Sequence, residues 1–168
     1  TSGYDHIDLK AAYEHDVQVA RSPMARRDAV VDTTLGMGIS LLRDLPYFQG
    51  QAKQGDWARA KLPQRPIPLL RGLRVGIVGM GVIGQYADAL WRALGAVVRH
   101  YDPLKPETSI PLEELASWAQ LLTLHCSLTK KTHQIVDAAM LKRMPEGAIL
   151  LNTARGTCID LDALLQAE

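Results

Sequence analysis

Cysteine is scarce in this chain, with Cys126 and Cys158 the whole supply in 168 residues. Two cysteines cannot build a disulfide framework, and neither stands in a metal-ligand spacing, so no metal site is expected. An excess of one charge is also missing: 19 basic residues face 18 acidic ones, for a net charge of +1. Without a basic stripe, nucleic acid is excluded as the main partner. No apolar stretch approaches the roughly 20 residues that span a bilayer, and the amino terminus carries no signal-like pattern. A cytoplasmic protein with no membrane contact is therefore expected. Internal repeats and low-complexity tracts are absent too. What remains is 47% hydrophobic, enough for the core of one domain.

The densest information lies between Arg74 and Gly84. An apolar strand, Arg74 to Val78, runs into Gly79-Met80-Gly81-Val82-Ile83-Gly84 and then directly into a helical pattern of Ile83, Ala87, Leu90 and Leu94, with Gly95 at its C-cap. This is a dinucleotide grip. Gly79 permits the tight turn, Gly81 the close approach of a pyrophosphate, and Gly84 the packing of helix on strand. The helix amides would face the phosphates. A second strand, Ala96 to Tyr101, ends in Asp102 about 20 residues beyond the glycines, where a carboxylate binds the adenosine ribose. The same carboxylate would repel the 2′-phosphate of NADP, so NAD is the expected cofactor. Arg99 lies an odd number of positions from Asp102 and should point to the other face. Lys105 is the one cation with the reach to favour NADP.

Ahead of this unit, Val31, Leu35, Ile39 and Leu42 mark one face of a long helix, capped by Asp28 and stopped by Pro46. Gly36 and Gly38 weaken it by about 1 kcal/mol each and invite close approach of another helix, within the chain or between subunits. The segment Lys61 to Pro68 is too rich in proline for a helix and reads as a connector. After the second strand, Pro111 opens a short helix with Glu113 and Glu114 near its positive end. A strand over Leu121 to His125, a helix over Ala138 to Met144 and a buried strand over Ala148 to Asn152 follow. Strands alternating with helices imply an α/β fold with a doubly wound parallel sheet. Trp57, Trp91 and Trp118 are assigned to packing, with Trp91 partly exposed because it lies two positions off the apolar helix face. Cys126 and Cys158 are read as small buried hydrophobes.

In this order, the blocks resemble the D-isomer-specific 2-hydroxyacid dehydrogenase family along nearly the whole chain. They are Ser2-Gly3-Tyr4-Asp5-His6-Ile7-Asp8, Arg43 to Pro46 with Gly55-Asp56-Trp57, the Gly79 to Gly84 fingerprint, Tyr101-Asp102-Pro103, His125 to Thr129 and Asn152 to Gly156. Ser127 departs from the pattern, where proline is usual. The resemblance implies a Rossmann-type NAD(P)-binding domain over residues 22–168, incomplete at its C-terminal end, preceded by a remnant of the substrate lobe over 1–21. It implies cofactor contacts from Gly79, Gly81, Val82, Ile83 and Gly84. Further contacts would come from Tyr101, Asp102 and Pro103, from His125, Cys126, Ser127 and Thr132, and from Thr153, Ala154 and Arg155.

Arg155 is the catalytic candidate. A planar, always-charged guanidinium can fork onto the carboxylate of a 2-oxo acid and stabilise the carbonyl oxygen that gains charge on reduction. The competing reading is a surface arginine paired with Asp160 or Asp162. In the family, a histidine held by a glutamate supplies the proton, and both lie beyond Glu168, so this chain alone is expected to be inactive. The expected partners are a small 2-oxo or 2-hydroxy acid and a second copy of the chain, joined through the NAD domain at the Val31 to Leu42 helix. A rival reading is a non-catalytic NAD(H)-sensing module of the C-terminal-binding-protein corepressor type, which shares the Asn-Thr-Ala-Arg-Gly block.

Overall fold

The computed structural model describes residues 3–64 and 67–167; Ser2, Arg65, Pro66 and Glu168 lie outside the described residues. Four parallel strands form the centre: β1 (Arg74–Val78), β2 (Val97–Tyr101), β3 (Leu121–Leu124) and β4 (Ile149–Asn152), in the order β2-β1-β3-β4. The chain leaves β2 at one edge and returns on the far side of β1, so the winding direction reverses between β1 and β3. Ligands of open parallel sheets bind at such a reversal, beyond the carboxyl ends of the strands. Register makes that edge level. Val78 is opposite both Tyr101 and Leu124, and Leu124 is opposite Asn152. Gly79, Asp102, His125 and Thr153 therefore emerge side by side.

Helices cover both faces, which is why β3 can be an unbroken buried run. On one face, α2 (Arg27–Leu42) and α4 (Val82–Ala93) enclose Val31, Val75, Ile77, Trp91, Leu121 and Leu151. On the other, α5 (Leu112–Trp118) and α6 (Ala138–Leu141) enclose Val78, Leu115, Leu122, Leu124, Val136 and Met140. Each such side chain contributes roughly 1.5–3 kcal/mol by leaving water. Gly76 is bare for a reason: a Cβ there would lie 2.9 Å from both Ala119 and Leu122 side chains under α5. The remaining α-helices are α1 (Leu9–Glu14), capped by the Asp8 carboxylate, α3 (Leu45–Lys53), and α7 (Leu161–Gln166). No helix among the described residues is long and apolar enough to cross a membrane.

Several local expectations are corrected. Asp28 does not cap α2; it sits in the first turn beside Arg27, and Arg26 at the N-cap offers no side-chain bond. Pro46 opens α3 instead of ending α2, because Asp44 in a left-handed conformation has already turned the chain. The proline-rich connector is partly helical after all, as a 3₁₀ helix over Ala58–Gln64, a form with little demand for regular i to i−4 bonding. Trp91 is fully buried, since α2 lies over it and a Cβ on Gly38 would come 2.9 Å from its ring. Gly38 thus serves packing within the chain, whereas a Cβ on Gly36 would meet nothing. Trp57 is 82% exposed and packs into no core. Trp118 does pack, half-buried beneath the Arg99 guanidinium, which stands 4.7 Å above its ring.

Candidate functional site

The glycine loop is shaped by two close approaches and one open side. Gly79 has φ +95°, and a Cβ there would sit 2.7 Å from the backbone of Cys126 on the neighbouring strand end. A Cβ on Gly84 would fall 2.0 Å from the Gly79 carbonyl oxygen, so only glycine lets α4 start this close to the loop. Around Gly81 a Cβ would meet no protein atom, which leaves that side of the loop open. Val82 and Ile83 follow as the first residues of α4, whose opening amides have no partner within the helix. A loop bared on one side and backed by a helix N-terminus fits a dinucleotide pyrophosphate.

Asp102 closes the loop from below. Its buried carboxylate accepts from Met80 N at 2.7 Å and from Leu104 N at 2.9 Å. A carboxylate has about four acceptor positions, so two remain for hydroxyls. The hold of Asp102 on Met80 has no signal in the spacing that points to a ribose contact. Tyr101 is half-buried before it and Pro103 exposed after it. Arg99 points away from this edge, as expected, and reaches Glu114 at 3.4 Å.

The turn after β3 is built from hydroxyls. His125 meets Thr123 Oγ1 at 3.2 Å and Thr153 Oγ1 at 3.5 Å, and Thr153 in turn meets buried Thr34 of α2 at 3.1 Å. Burial lowers the His125 pKa to about 4, so the ring is neutral at physiological pH. Thr34 had no sequence signal, being one polar residue in a helical stretch. Burial beside the Cys158 thiol pushes Cys126 up to about 12, which keeps it protonated and unreactive. Ser127 is exposed, and its carbonyl accepts from Thr132 Oγ1 at 2.7 Å, which ties the turn without the usual proline.

After β4, the Asn152 side chain moulds the next turn. Its Oδ1 accepts from Ala154 N at 3.0 Å and its Nδ2 donates to the Arg155 carbonyl at 2.8 Å. This presents Arg155 at the same edge as the glycine loop. Its guanidinium does not pair with Asp160, which caps α7 through Ala163 N, nor with Asp162. It pairs with Asp5, 150 positions earlier: Nη2 donates to Oδ1 at 2.9 Å and Nε to Oδ2 at 3.1 Å. The arginine hydrogen bonds hold the Asp5 carboxyl below the usual carboxylate range, and the carboxylate raises Arg155 in turn. The site thus gathers Gly79 to Gly84, Tyr101 to Pro103, His125 to Ser127 with Thr132, and Thr153 to Arg155 along one edge.

The chain is similar to known proteins along nearly its whole length. Residues 35–167 match the family model described as "D-isomer specific 2-hydroxyacid dehydrogenase, NAD binding domain". Hydroxypyruvate reductase of Thermotoga maritima is 32% identical over a stretch covering 98% of this chain and 54% of that protein. D-3-phosphoglycerate dehydrogenase of Methanocaldococcus jannaschii is 33% identical, over 98% of this chain and 33% of its own length. Among solved structures, a D-lactate dehydrogenase of Aquifex aeolicus complexed with NAD and lactic acid superposes with a TM-score of 0.89 at 28% identity, covering 99% of this chain and 52% of that one. The chain spans about half the length, or less, of the relatives it matches.

Proposed function

This chain belongs to the D-isomer specific 2-hydroxyacid dehydrogenase family, and we propose that it forms the NAD-binding part of an oxidoreductase interconverting a small 2-oxo acid and a D-2-hydroxy acid. The observation that carries this reading is the placement of Arg155 on the level strand edge that also presents the Gly79 loop. Residues 22–168 serve as the cofactor domain and residues 1–21 belong to the substrate lobe. The glycine loop and the start of α4 hold the pyrophosphate, Asp102 the adenosine ribose, and the His125 to Thr132 and Thr153 to Arg155 turns the nicotinamide half. Bound NAD supplies or accepts the hydride. Arg155 fixes the substrate carboxylate and stabilises the charge that grows on the carbonyl oxygen.

His125 is not assigned the proton transfer. His125, just after β3, is held neutral against threonine hydroxyls and is a poor acid. Without a positioned acid, hydride transfer would lose roughly 10²- to 10⁴-fold in rate. The Asp102 carboxylate favours NAD over NADP by repelling the 2′-phosphate. A fluorescence titration tests the reading: NADH is expected to bind at least roughly tenfold tighter than NADPH, since close like charges cost on the order of a kcal/mol or more. Equal dissociation constants would refute the cofactor assignment. Turnover of 2-oxo acids by the protein in its natural length, lost on Arg155→Gln, tests the reaction. Family resemblance also supports a homodimer through this domain.

A further inference from the structure

The pairing of Arg155 with Asp5 is not explained by the cofactor or by substrate binding, and its geometry is specific. A guanidinium has five N–H donors. Asp5 takes the Nε side, with Nε on Oδ2 at 3.1 Å and Nη2 on Oδ1 at 2.9 Å, and the Ala154 carbonyl takes one N–H of Nη1 at 3.0 Å. One N–H is left on each terminal nitrogen, the two donors that a carboxylate and its neighbouring carbonyl require. Gly3 completes the seat. A Cβ there would lie 2.0 Å from Arg155 Nη2 and 2.9 Å from Asp5 Oδ1, so the guanidinium occupies the space a side chain would fill.

Resting on the proposed role of Arg155, we propose that Asp5 is its positioning residue: it grips one side of the guanidinium and thereby aims the two remaining donors at the substrate, with Gly3 providing the room. Arginine side chains are long and rich in rotamers, and a grip on two of three nitrogens removes that freedom before the substrate arrives. A carboxylate suits the task because a bidentate pair fixes the plane of the guanidinium as well as its place. The contact also joins the segment 3–8 to the turn after β4, so the expected substrate-lobe remnant is tied directly to the cofactor edge.

The test uses steady-state kinetics on the protein in its natural length. Asp5→Ala is expected to cut kcat/KM for the 2-oxo acid roughly 10- to 100-fold, the scale of a misplaced reacting group, through both a higher KM and a lower kcat. NADH affinity should stay within about twofold, because Asp5 touches no part of the glycine loop. Asp5→Asn, which keeps one acceptor, should recover part of the loss. Gly3→Ala should reproduce the defect with Asp5 intact, by displacing the guanidinium. In an Arg155→Gln background, Asp5→Ala should add nothing. Wild-type kcat/KM in a folded Asp5→Ala variant would overturn the proposal, as would a gain in kcat/KM, which would mark Asp5 as a competitor for the substrate's place. If Arg155→Gln is itself without effect, the underlying role of Arg155 fails; if it abolishes turnover while Asp5→Ala and Gly3→Ala do not, only the positioning role fails.

Discussion

His125 shows how much one buried ring can set. Threonine hydroxyls meet both its nitrogens, and burial holds its pKa near 4 against an ordinary 6.5. In the unfolded chain the ring takes a proton as pH falls through 6.5, while the folded chain resists until about 4. Between those values the unfolded state binds more protons, so stability is lost as pH drops across that window and is unaffected above it. At 1.36 kcal/mol per unit, the loss comes to about 3 kcal/mol. Denaturant melts of the wild type and His125→Asn between pH 7 and pH 4 should therefore diverge by that amount, the wild type falling faster. Parallel profiles would show that the ring is not held neutral. The same neutrality bears on chemistry, because a group with this pKa donates a proton poorly at pH 7.

At the scale of elements, the two glycines of the loop separate stability from binding. Alanine at Gly84 would put a Cβ 2.0 Å from the Gly79 carbonyl oxygen and force α4 off the loop, costing typically 1–3 kcal/mol and weakening NADH. Alanine at Gly81 meets no protein atom, so it should leave the melting temperature within a few degrees while still crowding the pyrophosphate. Thermal melts alongside NADH titrations would show whether the two effects part in this way. These roles were legible because strand, glycine spacing and helix are contiguous, and local physics dictates them. The face of α2 was not. The pattern Val31, Leu35, Ile39, Leu42 pointed to one seam, but the residues fully buried are Val31, Thr34, Gly38 and Leu42. Small side chains at 34 and 38 let Trp91 and β4 approach, and only the partner surface decides that. The Asp5 to Arg155 pair spans 150 positions and leaves no local periodicity to read.

For the molecule as a whole, the same shift moves the surface on which a second copy can pair. The seam of Val31 and Leu42 is consumed by α4 and the sheet, so a leucine at Gly38 would strike Trp91 inside the chain and could not report on assembly. Outward, the structure leaves Met37 and Leu41 of α2 exposed, followed by Leu45, Trp57 and Leu62 along α3 and the 3₁₀ helix. Leu45, Phe48, Ala52, Trp57 and Leu62 line one groove. A tryptophan 82% exposed beside such a groove is the kind of apolar surface that monomers rarely leave open. Sedimentation of the protein in its natural length is expected to give a dimer, and Trp57→Asp is expected to give a monomer with unchanged circular dichroism, since Trp57 supports no core within its own chain. Gly36→Leu tests the adjoining surface, because a Cβ at Gly36 has no protein atom within 4 Å. A dimer that survives both substitutions would move the contact away from α2 and α3 altogether. A monomeric wild type would refute the pairing and leave the Trp57 groove unassigned to a second copy.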